Sequence, residues 1–194
     1  MKALRFMALA TVLTGLAPTA SAFDDSRQGF LLGLGAGLHT IDLDYQGNGR
    51  SFANESESGI ATSLKIGGGL TDQFALYYVR NASWYSATGF DGSTYKDMTF
   101  AVGLMGVGAT YFFSPSAPSG YVLGALGVGD ISAPFESNVD SDTGSAFMLG
   151  GGYELGNHLM LEATLLGTDI DSGDIVGLGV ETTSLQLTFN YMFY

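Results

Sequence analysis

The 194-residue chain has no cysteine, four prolines, two histidines and a single tryptophan. Without cysteine there is no disulfide, no thiolate metal site and no lipid-modified cysteine. Basic residues are also scarce, with Lys+Arg 7 against Asp+Glu 19 and a formal net charge of −12. That balance argues against nucleic acid as a partner. Nor does any charge-free apolar run reach the length of a spanning helix. The nearest, residues 98–113, is interrupted by Gly103, Gly106 and Gly108 and ends in the strand-favouring triplet Tyr111, Phe112, Phe113. No phosphate loop, nucleophile elbow or metal-ligand spacing is present, so no catalytic residue, cofactor or metal is expected.

Lys2 and Arg5 precede an apolar stretch over 6–16, and Ala20-Ser21-Ala22 follows as a small-x-small cleavage pattern. This reads as a signal peptide over 1–22, cleaved after Ala22, with an N-terminal anchor helix as the alternative. The mature part, 23–194, is one domain in length. Loss of Lys2 and Arg5 leaves 5 basic against 19 acidic residues, a net charge of −14. Glycine is abundant, 29 residues, about twice average usage. An exported, apolar chain without spanning helices fits the other membrane solution, a closed β-barrel, in which every backbone polar group is paired.

Period-two alternation supports that reading. At the C-terminal end Leu185, Leu187, Phe189, Tyr191 and Phe193 form one face, and Ser184, Gln186, Thr188, Asn190 and Met192 the other. Before it, Leu159, Leu161, Ala163 and Leu165 oppose Met160, Glu162 and Thr164. Phe147, Leu149, Gly151 and Tyr153 likewise oppose Met148, Gly150, Gly152 and Glu154. Near the start, Ile60, Thr62, Leu64 and Ile66 oppose Ala61, Ser63 and Lys65, and Phe30 to Leu38 alternate with Gly33, Gly35, Gly37 and His39. Segments 74–85, 97–113 and 120–131 fit either phase in places, and a bulge is one way to shift them. Connectors at 71–73, 114–119 and 156–158 are short. Those near 43–57, 86–96, 132–143 and 171–180 are long, polar and acidic. Aromatic residues gather at both strand ends, as at membrane interfaces. The expected fold is all-β: an eight-stranded antiparallel transmembrane up-and-down barrel in a bacterial outer membrane, with both termini periplasmic. A soluble β-sandwich is the competing reading.

The hairpin over 150–163 (GGGYELGNHLMLEA) and the closing strand over 185–193 resemble small outer-membrane barrels of the OmpX type and the transmembrane domain of OmpA. The resemblance covers the mature chain as a pattern, with generic motifs. It implies outer-membrane lipid and lipopolysaccharide as surroundings, and a C-terminal signal read by the barrel-assembly machinery. That signal maps to Phe189, Tyr191, Phe193 and Tyr194, with Tyr194 one residue beyond the usual terminal phenylalanine. A monomer is expected, because a closed barrel leaves no edge unpaired.

Lys65, Glu154 and Glu162 fall on polar faces, and Arg80 is expected to join them as a lumen charge cluster in which Lys65 pairs with Glu154 or Glu162. Isolated charges are costly to bury, so such a cluster pairs internally. It serves either as a plug that crosslinks strands, resembling the charge cluster inside OmpA, or as the gate of a narrow pore. The inward glycines either admit water or make room for Met148, Met160 and Met192. Fourteen carboxylates lie in the long connectors, where a solvated surface is the plain reading. The run Asp169 to Asp174 superficially resembles a calcium loop but lacks the EF-hand spacing. His39 is followed by Thr40, Ile41 and Asp42, not by the His-x-Ser pattern of lipid-modifying barrels. The expected function is non-enzymatic, structural or surface-interacting, with acidic extracellular loops and a plugged lumen. A narrow porin-like channel, or an OmpW-like carrier of small hydrophobic molecules, is the alternative.

Overall fold

The computed structural model describes residues 26–47, 50–90, 94–136, 141–156, 158–171 and 178–194. The expected signal peptide, 1–22, and its cleavage site lie outside them. Eight strands run β1 (Gly29–Gly47), β2 (Arg50–Thr71), β3 (Phe74–Phe90), β4 (Tyr95–Phe112), β5 (Ser119–Ser132), β6 (Asp142–Gly156), β7 (Leu159–Asp171) and β8 (Leu178–Phe193). Each pairs antiparallel with the next and β8 closes on β1. No helix among the described residues is long and apolar enough to cross a membrane.

Tracing cross-strand partners from Leu32 passes through Ile66, Tyr78, Val107, Leu126, Phe147, Gly167 and Thr183. The path returns to β1 at Asp42, ten residues above its start. An eight-stranded barrel with that stagger has strands tilted by roughly 40–45°. Its interior is just wide enough for side chains to fill.

Odd-numbered residues of β1, β2, β3 and β5 point inward, as do even-numbered residues of β4, β6, β7 and β8. The three ambiguous strands are therefore regular. The register irregularities fall instead at Tyr45/Gln46, Gly69/Thr71 and Glu154/Gly156. Outward residues form a continuous exposed apolar belt, including Phe30, Leu38, Leu70, Val107, Leu126 and Phe189. A belt of this kind suits lipid, with short turns below it.

The long acidic connectors expected at 43–57 and 86–96 are largely strand. β1 and β2 stay paired out to Gly47↔Arg50, and β3 and β4 to Phe90↔Tyr95. Alternation continues there: Ile41, Leu43 and Tyr45 turn inward between Asp42 and Asp44, which turn outward. The barrel wall thus rises above its apolar belt, and its chemistry inverts there. Within the belt the wall faces lipid and the interior carries most of the polar groups. Above it the wall faces water, and the interior is an apolar cluster from β1, β3 and β4, flanked on β2 by Glu55 and Glu57, which share the face of Leu43 and Ile41.

The raised wall is not closed all round. The β2–β3 ladder stops at Ile60↔Trp84 and the β4–β5 ladder at Ala101↔Ser132. Beyond those rungs, the described parts of the β3–β4 hairpin form a two-stranded ribbon of their own.

Candidate functional site: the lumen and its outer mouth

Three tiers fill the barrel. The lowest rests on Glu154 of β6. It accepts from Nε of Arg27 at 3.0 Å and from Nη2 of the same guanidinium. Arg27 also donates to the carbonyls of Asp72 and Ser114, both at 2.8 Å, and its guanidinium carbon lies 4.1 Å from the Phe112 ring centroid. The Tyr194 hydroxyl reaches Glu154 Oε1 at 3.5 Å. The extra terminal residue therefore turns inward and closes the floor, leaving Phe189, Tyr191 and Phe193 on the outer face.

Higher in the same tier, Lys65 Nζ meets Glu162 Oε2 across the lumen at 2.6 Å, the two side chains 2% and 1% exposed. Tyr121 donates to the same oxygen at 3.1 Å. The Tyr77 ring lies 5.7 Å from the Lys65 ammonium, and its hydroxyl bonds Thr110 at 2.7 Å. Neighbouring glycines make this crowding possible. A side chain at Gly33 would overlap Met192, and one at Gly152 would lie 2.5 Å from the Tyr121 hydroxyl. At these positions large neighbours take the space.

The middle tier is polar and holds no ion pair among the described residues. Gln186 Nε2 donates to Asn81 Oδ1 at 2.8 Å and to Ser83 Oγ at 3.0 Å. Ser83 bonds Ser184, and Thr168 bonds Thr182, each at 2.8 Å. His39 belongs here, its Nε2 3.0 Å from the Trp84 carbonyl oxygen. A Cβ at Gly59 would overlap that oxygen, so His39 reaches β3 only because β2 carries glycine at the crossing.

The top tier is an apolar cap. Ile41 and Leu43 of β1 pack against Tyr85 of β3 and Val102 of β4, with Phe100, Ile131 and Val180 around them. The Tyr85 and Phe100 rings stack at 5.7 Å. Burial, then Glu55 and Glu57, holds the Tyr45 phenol above its usual range. Tyr85 is raised by burial first, with smaller contributions from Tyr45, Glu57 and Glu55. A phenol whose folded value is raised stabilises the fold fully below the unfolded value near 10. That stability is lost as pH rises through the folded value. The combined change Tyr45→Phe and Tyr85→Phe is therefore expected to shrink the late-titrating phenol fraction in an alkaline absorbance titration. An unchanged late fraction would mean that the cap is open to water.

Arg80 does not join the lumen. It has the outward parity of β3 and reaches across Gly103 to Asp130 on the outer wall, with Nη2 to Oδ2 at 2.8 Å. Both faces of residues 74–85 carry apolar side chains, so the sequence left the phase undecided. Arg80 starts inside the apolar belt and its head rises to the rim, as long basic side chains do at a lipid boundary. The partners are 30% and 17% exposed. Arg80→Leu should change stability by no more than about 1 kcal/mol in denaturant titration. A loss as large as that expected for a lumen charge would contradict the outward placement.

Arg27 escaped the sequence reading because it precedes the first recognisable strand. The odd-inward parity of β1, extended back two residues, points to it. Glu154 and Glu162 also needed two bases from only five. Of the calcium-like run, Asp169 and Asp171 lie on the outer face of β7, and 172–174 fall outside the described residues. Among the described residues no group of three or more His, Cys, Asp or Glu has metal-holding geometry.

The family model described as outer membrane protein beta-barrel domain matches residues 8–193. No curated protein matches the chain in sequence. Three solved structures share the fold at 14% identity. Ail, the attachment invasion locus protein of Yersinia pestis, has a TM-score of 0.52 over 84% of this chain and 99% of its own. OprG of Pseudomonas aeruginosa has 0.51 over 88% and 99%. Neisserial surface protein A has 0.50 over 81% and 96%.

Proposed function

The chain belongs to the outer-membrane β-barrel family, and from that premise we propose a non-enzymatic, closed-lumen barrel whose work is done by its raised, acidic extracellular wall. The observation that carries this reading is the stacking of three tiers along one narrow axis. Each buried carboxylate has its own base, and the outer mouth is sealed by packed apolar side chains. A pore element would have to leave a hydrated path past these groups. The barrel sits as a monomer in lipid and lipopolysaccharide. Phe189, Tyr191 and Phe193, followed by Tyr194, supply the segment presented to the assembly machinery.

Liposome swelling tests the reading. Vesicles carrying the folded barrel should shrink and stay shrunken in arabinose, like empty vesicles. Re-swelling that scales with protein content would favour the narrow-channel alternative. The His39 Nε2 is engaged by a backbone carbonyl, and among the described residues no serine hydroxyl is bonded to it, which argues against a hydrolytic centre there.

A further inference from the structure

We propose that Glu55 and Glu57 of β2, with the Tyr85 hydroxyl, form a binding site at the outer mouth for a linear aliphatic amine. Its ammonium bridges the two carboxylates, and its methylene stem lies on the apolar cap. The inference rests on the preceding reading that the outer wall carries the function, and names what that wall binds.

Register brings the carboxylates to the cap. Glu57 pairs opposite Ile41 and Glu55 opposite Leu43, so both share the inner face with the apolar cluster. Two positions apart on one strand, they stand about 6.5–7 Å from each other along the backbone. The β2–β3 ladder has already ended at Ile60↔Trp84, so no described strand pairs with their other side. Glu55 is exposed and Glu57 half-buried. Neither forms an ion pair with a described residue. Arg27, Lys65, Arg80 and Lys96 each hold another acid, and Arg50 lies at the hairpin tip opposite Gly47. Two like charges beside apolar side chains, without a base, favour a cation from outside.

Tyr85 points to the same ligand. It is 5% exposed, yet its hydroxyl makes no hydrogen bond with a described residue. A buried phenol ordinarily keeps its O–H partnered. Burial and Tyr45 are the larger causes that hold this phenol up, and Glu57 and Glu55 add to them, which puts both carboxylates within electrostatic reach of the hydroxyl. Two carboxylates and a neutral phenol make three acceptors, and an alkylammonium carries three donors on one nitrogen. A metal ion matches less well, because among the described residues no group of three or more His, Cys, Asp or Glu has metal-holding geometry. Ile41, Leu43 and Val102 form the floor. They give a methylene stem apolar contact that a bare cation lacks.

The test uses the folded full-length mature chain in nanodiscs of zwitterionic lipid, titrated calorimetrically with cadaverine, a linear diamine. Saturable binding is expected, about tenfold or more tighter than that of methylammonium, which has the charge without the stem. The matching diol, which has the stem without the charge, should not bind. Glu57→Gln should weaken cadaverine binding about tenfold or more, and Tyr85→Phe, which keeps the packed ring, about threefold. Asp169→Asn, which removes a carboxylate from the outer face of β7, should leave it unchanged. The fold of each variant is verified by its heat-modifiable gel mobility. Absent binding, methylammonium binding as tightly as cadaverine, or an equal loss in Asp169→Asn and Glu57→Gln would each overturn the proposal. The last two would mark only a general acidic surface. A conducting lumen would sink the closed-barrel reading and leave the measured cadaverine affinity standing. A silent barrel that binds no cadaverine would sink only this inference.

Discussion

Lys65→Met is expected to lower the stability of the barrel by about 3–5 kcal/mol, because it strands Glu162 as an uncompensated buried charge. Glu162 is 1% exposed, and its remaining partner is one phenol hydroxyl at 3.1 Å. Adding Glu162→Gln to Lys65→Met should recover most of the loss, since the amide oxygen still accepts from Tyr121 and no charge remains. Urea unfolding of the refolded protein in lipid vesicles separates the cases. A single variant as stable as the parent would mean that water reaches Glu162, and that the lowest tier is not a dry crosslink. The contrast with Arg80→Leu is the sharper form of the same test. Both remove a base from an ion pair, but only one of those pairs lies inside.

Tyr85→Ala should have an effect of similar size, about 3–5 kcal/mol, confined largely to the outer mouth. Tyr85 is buried at the centre of the cap and stacks on Phe100. Its removal leaves a hole between Leu43 and Val102 that the β3–β4 ribbon cannot fill without moving. Amide exchange should quicken over the described ends of that ribbon, 85–90 and 95–100. Residues 60–66 and 104–110, inside the belt, should keep their protection. Equal acceleration throughout would show that the cap is not a separately stabilised unit.

The barrel was legible because lipid imposes a strict period of two. β8, with Leu185 to Phe193 outside and Ser184 to Met192 inside, has no competing phase. Lys65, Glu154 and Glu162 followed from the same alternation, and the structure brings Lys65 to Glu162 and Arg27 to Glu154. Arg80 went astray because β3 is apolar on both faces: Leu76 and Tyr78 meet lipid while Tyr77 and Val79 fill the lumen. The raised wall was misjudged for a related reason. Asp42 and Asp44 read as loop by composition, although Ile41, Leu43 and Tyr45 keep the alternation going around them, and Glu55 and Glu57 of β2 pair opposite Leu43 and Ile41. On β1 above the belt the apolar face is the inner one, so composition alone suggests a loop where pairing continues. The early end of the β2–β3 ladder left no mark in the sequence, because it depends on how the β3–β4 ribbon leans once the cap has formed.

Single-channel recording of the refolded mature chain in a planar bilayer, with Glu162→Gln and Tyr85→Ala alongside, tests the closed lumen most directly. A barrel whose fold is verified by gel mobility should give no reproducible unitary steps, and neither single substitution should create them, since each leaves two tiers intact. Steady unitary conductance in the parent, changed in size by Glu162→Gln, would make the Lys65–Glu162 pair part of a pore and end the closed-lumen reading.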